Sequence, residues 1–193
     1  MTTSYIFLAT GFEEIEALTT VDIMRRAGMH VLTVSIEDTP QVAGAHGIPV
    51  VADTCISDID FSQAEWLILP GGMPGATNLA ACAPLCDALK AHAAKGGKIA
   101  AICASPAVVL APLGLLAKKD ATCYPGFEAV CSTHGAILRD TPVIALPTLV
   151  TANGPAASMA FALSIVANTL GAPLAQEIGQ GLLFYKKTMN FYF

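Results

Sequence analysis

The sequence predicts an α/β fold with helices on both faces of a mainly parallel sheet. Three observations lead there. Short apolar runs alternate with segments of helical period along most of the chain. The runs are continuously apolar rather than alternating, as in strands covered on both faces. The 193 residues, 54% hydrophobic and 13% charged, suffice for one well-buried domain over 1–193. The expected class is a three-layer α/β/α sandwich, flavodoxin-like in type.

The elements follow in order. Tyr5 to Ala9 is a strand, and Glu13 to Ala27 a helix with Ile15, Leu18, Val21 and Met24 at helical spacing and Gly28 as its stop. Val31 to Ile36 is the second strand. Val42 to Ala52, broken by Gly44, Gly47 and Pro49, reads as a hairpin or irregular excursion. Trp66 to Leu69 is a strand closed by Pro70-Gly71-Gly72. Pro84 to Lys95 is a helix, Lys98 to Ile102 a strand, and Pro106 opens another helix. Val143 to Ile144 and Leu149 to Thr151 are late strands. Ala156 to Leu170 is an apolar helix ended by Gly171 and Pro173. The tail after Gln180 either packs as a terminal segment or is loose.

Composition excludes several classes. Charged residues are about half the ~25% usual in soluble domains, the opposite of a disordered chain. The net charge of -5 and ten scattered Lys and Arg argue against a nucleic-acid partner. Uncharged stretches run from Ile99 to Ala117 and from Thr141 to Gln176, but Pro106, Pro112, Pro142, Pro147 and Pro155 fall inside them, so no membrane span is expected. The N-terminus enters a strand without a basic leader, so a cytoplasmic location is expected. The six cysteines show no Cys-x-x-Cys and no zinc set, and most read as small buried hydrophobes. The high apolar fraction fits a homodimer.

In such sheets a site forms beyond the carboxyl ends of the strands. Cys103 stands where a buried strand meets a helix, the layout of a nucleophile elbow. A helix N-terminus there is expected to lower the thiol pKa. The other reading is a small core residue. Glu13, Glu14 and Glu16 open the first helix. Interaction with the helix dipole, about 0.3–1 kcal/mol each, accounts for the first two. Glu16, one turn in, is placed to face the sheet end, where burial beside a thiolate would keep it protonated. Gly71 and Gly72 either offer N–H groups to an oxyanion or form an ordinary turn. Of the four histidines, His30 and His92 read as surface residues, while His46 and His134 sit in loops.

Together these segments resemble the DJ-1/ThiJ/PfpI family, in its DJ-1-like branch. The resemblance rests on Gly11-Phe12-Glu13-Glu14-Ile15-Glu16-Ala17, Asp22 to Gly28, Leu69-Pro70-Gly71-Gly72, Ala100 to Pro106, and Asn153-Gly154-Pro155. It implies a flavodoxin-like homodimer with a reactive Cys103, a protonated Glu16, and backbone donors at Gly72 and Ala104. Two departures stand out. Tyr124-Pro125 occupies the place where many relatives have His-Pro, and Ala104 stands where the protease-like branch has its His. An unperturbed Tyr, with a pKa of ~10, is no base near neutral pH, so Tyr124 is expected to bind substrate by its hydroxyl. His46 falls where the DJ-1 branch often has an Arg, and is expected with Gly71 and Tyr124 in the substrate pocket.

The resemblance implies a cysteine-dependent enzyme for reactive 2-oxoaldehydes or their adducts, of the glutathione-independent glyoxalase or deglycase type, with no cofactor and no metal. Its partner is then a small-molecule carbonyl substrate. The alternative is a redox-sensing or holdase-chaperone stress protein using an oxidisable Cys103. A ThiJ-type role in thiamine (hydroxyethylthiazole phosphate) biosynthesis ranks lower, because nothing builds a phosphate site.

Overall fold

A computed structural model describes residues 2–185. Its elements are, in order, β1 (Thr3–Leu8), α1 (Glu14–Arg26), β2 (Val31–Ser35), β3 (Gln41–Ala43), β4 (Pro49–Val51), β5 (Thr54–Cys55), β6 (Ala64–Leu69), α2 (Gly75–Ala81) and α3 (Ala83–Ala94). There follow β7 (Lys98–Ile102), β8 (Asp120–Ala121), α4 (Glu128–Thr133), β9 (Ile137–Leu138), β10 (Val143–Leu146), β11 (Leu149–Ala152), α5 (Ser158–Leu170) and α6 (Ala172–Gly181).

Seven strands form the central sheet in the order β10-β11-β7-β6-β1-β2-β5. All neighbours pair in parallel except β10, which returns antiparallel to β11. The sheet is therefore mixed but mainly parallel. Side chains alternate between two cores with the two-residue period of a strand. Ile6, Leu8, Trp66, Ile68 and Ile102 pack with Met24, Phe161 and Ile165 of α1 and α5. Tyr5, Phe7, Leu67, Leu69 and Ile99 pack on the opposite face with Leu79, Leu85 and Leu89 of α2 and α3. Burial on both faces explains why these strands are continuously apolar in sequence.

The Val42–Ala52 excursion is a hairpin of β3 and β4, with Val42 opposite Val50. It is tied to the start of α1 by a bridge between Phe12 and Gly44. Three differences from the sequence expectation have local causes. Between β6 and α3 the chain forms a further helix, α2, opened by Pro74-Gly75, where the sequence reading has none. Gly171 and Pro173 end α5 and at once start α6, because proline fits a first helical turn as well as it breaks an interior. After Cys103 the chain enters a π-helical segment, Pro106–Leu110, rather than an α-helix; Ala111 N–H donates to Pro106 O at 2.9 Å.

Among the described residues no helix is long and apolar enough to cross a membrane. The tail residues Lys186, Lys187 and Phe191 to Phe193 lie outside the described residues.

Candidate functional site

The carboxyl ends of β1, β6, β7 and β11 converge at one edge of the sheet, and the turns leaving them build the site. Cys103 follows β7 directly with φ +65°, a left-handed conformation uncommon for a residue with a side chain. Such a backbone costs roughly 1–3 kcal/mol and persists only where its surroundings fix it. Both backbone groups are fixed here. Cys103 N–H donates to Ala152 O at 2.8 Å, continuing the β7–β11 ladder, and its carbonyl accepts from Tyr124 N–H at 2.8 Å. Ser105 adds a third tie, its buried hydroxyl donating to Pro70 O at 2.5 Å. Nothing in the sequence around Ser105 marks it; its role depends on the neighbouring strand.

Glu16 is fully buried on the inner face of α1. Its Oε2 accepts from Gly71 N–H at 2.7 Å. Its Oε1 is buried without a hydrogen-bond partner, and the carboxyl and the Cys103 side chain both pack against Gly71. Gly71 is required where these groups meet. A Cβ there would lie 2.5 Å from Cys103 Cβ and 2.9 Å from Glu16 Oε2. Gly72, at φ +89°, has no more room, for its Cβ would stand 2.4 Å from Glu13 N. Gly71 is thus packed against the two functional side chains and Gly72 against backbone, which accounts for the paired glycines.

The electrostatics depart from the sequence expectation. Burial pushes the Glu16 carboxyl up from 4.5 to about 7, as expected for a group with little access to water. A helix N-terminus is expected to lower the thiol. Instead burial first, and then the charge of Glu16, push Cys103 up from 9.0 to about 12. The N–H groups of Gly72 and Ala104 do favour the thiolate, but they are outweighed. The two residues titrate as a pair, so the higher value belongs to removing a second proton against a charge already present. Between about 7 and about 12 the pair holds one proton and one negative charge.

The remaining expected residues are distributed around this pair. The Tyr124 ring is about half-exposed and lies beside Gly154, while its amide supports Cys103. His46 extends from the hairpin over the start of α1. Its Nδ1 is 2.7 Å from Glu14 Oε2 and 3.7 Å from Glu13 Oε2, and its amide donates to Glu14 Oε1 at 2.8 Å. Glu14 is therefore buried under a histidine, which is more than the dipole role expected for it. The hydrogen bond to Glu14, then the charges of Glu13 and Glu14, raise the His46 pKa. Burial alone would raise Glu14, but His46 outweighs it and lowers the carboxyl. Glu13, Glu14 and His46 bring ligand-type atoms within 4.8 Å of one another, and the hydrogen bonds just described account for the grouping. His134 closes α4 with Nδ1 on Val130 O. His92, expected at the surface, is half-buried under Gly97, with its Nε2 unpartnered and its pKa lowered by burial.

Comparison with known proteins follows the same pattern. The model of the DJ-1/PfpI family matches residues 3–168. The chain is 38% identical over 179 residues to protein DJ-1 homolog B of Arabidopsis thaliana, covering 91% of this chain. It spans less than half the length of the Arabidopsis relatives it matches, 40% of homolog B and 46% of homolog A. It is 35% identical over 161 residues to a protein of Caenorhabditis elegans named glutathione-independent glyoxalase DJR-1.2, covering 83% of this chain and 84% of that one. Among solved structures, oxidized Toxoplasma gondii DJ-1 superposes with a TM-score of 0.91 at 36% identity, covering 96% of this chain and all of that one.

Proposed function

The chain belongs to the DJ-1/PfpI family, and from that membership we propose that it converts reactive 2-oxoaldehydes to hydroxy acids without glutathione, with Cys103 as nucleophile and Glu16 as proton shuttle. The observation that carries this reading is the isolated one-proton pair. Cys103 sits on a strained elbow, and the carboxyl buried beside it has an oxygen, Oε1, without a hydrogen-bond partner. With the pair's proton on Glu16 Oε1, the charge rests on sulfur, where the Gly72 and Ala104 amides favour it.

The steps balance on these groups. The Cys103 sulfur adds to the aldehyde carbon, and the carbonyl π pair moves to oxygen, which takes the proton from Glu16. The Gly72 and Ala104 amides stabilise the oxyanion while it lasts. Glu16, now a carboxylate, removes the hydrogen from that carbon to give an enediol, then returns it to the neighbouring carbon. The product is a thioester of the hydroxy acid. Water hydrolyses it, releasing the acid and regenerating the thiol. Tyr124 and His46 are assigned to the pocket rim, and Gly71 to the wall between Cys103 and Glu16. The adduct-removing, deglycase reading uses the same pair.

The name of the C. elegans relative supports the glyoxalase reading. The T. gondii relative, an oxidized DJ-1, supports the second one, in which Cys103 is an oxidation sensor in a stress protein. A cytoplasmic homodimer is proposed in both. Ile15 and Leu18 on α1, and Ile48 and Val51 on the hairpin bridged to its start, leave large apolar side chains exposed.

The experiment is to incubate micromolar purified protein with methylglyoxal in the absence of glutathione and measure lactate. Turnover that is lost in Cys103→Ser and in Glu16→Gln is expected. No lactate from the wild type excludes the glyoxalase reading.

A further inference from the structure

A cleft of about 330 Å³ lies beside the Cys103 elbow, a volume at the small end of ligand sites. Cys103 and Glu16 do not line it, but its lining includes the neighbours of the elbow's backbone supports. Tyr124, whose amide donates to the Cys103 carbonyl at 2.8 Å, stands between Cys123 and Pro125 of the lining. Asn153, also of the lining, follows Ala152, whose carbonyl takes the Cys103 N–H at 2.8 Å.

The fold leaves the polar groups of this cleft only partly used. The Thr122 amide donates to the Thr151 hydroxyl at 3.0 Å, but the Thr122 hydroxyl has no partner among the described residues, although the residue is only 5% exposed. Within the same residues the Asn153 carboxamide and the Asp140 carboxylate have none either. Arg139 Nε donates to Asp120 Oδ1 at 2.8 Å, which leaves both terminal nitrogens of the guanidinium to a ligand. Glu128 Oε2 accepts from Gly126 N–H at 2.7 Å, which leaves Oε1. Pro125 and Leu138 add apolar surface.

We propose that this cleft is a binding site for a free basic α-amino acid, separate from the Cys103–Glu16 pair. Each group of such a ligand has a counterpart. The α-carboxylate meets the guanidinium of Arg139, whose planar N–H donors match a carboxylate. The α-ammonium and the side-chain cation meet Glu128 and Asp140. The Thr122 hydroxyl and the Asn153 carboxamide supply neutral hydrogen bonds, and the methylene chain covers Pro125 and Leu138, as long cationic side chains cover apolar surface. Other classes fit less well. A phosphate would face two carboxylates, a neutral amino acid would leave one carboxylate unmatched, and a diamine would leave Arg139 unmatched. Occupancy also reaches the elbow, because the ligand restrains the residues next to Tyr124 and Ala152, which hold the Cys103 backbone.

The test is calorimetric titration of the wild-type full chain with L-lysine. No aldehyde is present, so the outcome does not depend on the catalytic proposal. Saturable binding is expected. It should weaken at least about tenfold for L-norleucine, which lacks the side-chain amine, and for cadaverine, which lacks the carboxylate, as one lost hydrogen bond to a charged group implies. Asp140→Asn should weaken lysine binding, and Arg139→Gln should weaken lysine binding while sparing cadaverine. Circular dichroism verifies that both variants fold, and Asp140→Asn alone serves should Arg139→Gln not fold. Absence of saturable lysine binding, equal binding of norleucine or cadaverine, or binding unmoved by the substitutions overturns the site. In the wild type, saturating lysine is expected to change the Cys103 alkylation rate at least about fivefold, the low end of coupling between sites. An unchanged rate alongside measured binding overturns the coupling to the elbow.

Discussion

The amide of Gly71 donates to Oε2 of Glu16 over 2.7 Å, and so ties the turn after β6 to the buried face of α1. The same residue leaves no room for a side chain, since its Cβ would meet Cys103 Cβ at 2.5 Å and Sγ at 3.0 Å. One backbone position thus orients the carboxyl and sets its approach to the thiol.

Gly71→Ala should therefore separate the pair. The extra methyl meets the Cys103 side chain and the buried Glu16 carboxyl, which have little room to yield, so a cost of about 1–3 kcal/mol is expected. Urea denaturation measures the loss. Alkylation of the folded variant should show a Cys103 reactivity that no longer follows Glu16.

Ser105→Ala should loosen the elbow without touching sulfur. It removes the buried hydroxyl that serves Pro70 O and leaves that carbonyl unpaired, at about 1–3 kcal/mol. Thermal unfolding gives the cost. Slower thiol alkylation at unchanged pH dependence would mark a positioning role; an unchanged rate would make the residue purely structural.

Glu16 should leave a pH signature in stability. Its carboxyl is raised from 4.5 to about 7, so between those values the folded chain holds a proton that the unfolded chain has released. Stability from this group is complete below about 4.5 and is lost as pH rises through about 7. The expected loss is on the order of 3 kcal/mol. Urea titrations from pH 4 to pH 8 should show the wild type falling relative to Glu16→Gln. Parallel curves would place the carboxyl in water.

The exposed apolar side chains of α1 and the hairpin should hold a partner copy. Leu18→Glu with Val51→Glu should halve the mass seen by light scattering at micromolar concentration. A wild type that is already monomeric at that concentration contradicts the dimer.

Much of this arrangement is legible in the sequence. β1, β2, β6 and β7 are doubly buried, and their continuous apolar runs say so. Cys103, at the end of such a run, and Glu16, one turn into α1, are identifiable from position and family resemblance, and the structure brings them together. What is hidden depends on distant parts of the chain. The dipole of a helix is visible locally, but the burial that outweighs it at Cys103 comes from α1 and the β6 turn. The Ser105 hydroxyl bonds a carbonyl 35 positions away, so no local pattern betrays it. α6 escapes a reading of the sequence because Pro173 serves equally as an end and as a beginning. His92 looks exposed on its helix because the turn at Gly97 folds back over its ring.

The central claim is that Cys103 and Glu16 share one proton, which can pass from the thiol to the carboxylate and so bring the charge onto sulfur. Iodoacetamide alkylation of Cys103 across pH, followed by peptide mass spectrometry on wild type and Glu16→Gln, tests it most directly. The account predicts reactivity that appears as the pair loses its first proton near about 7 and an onset that moves upward in Glu16→Gln. A wild-type onset at or above the ordinary thiol range, unmoved by Glu16→Gln, would contradict it.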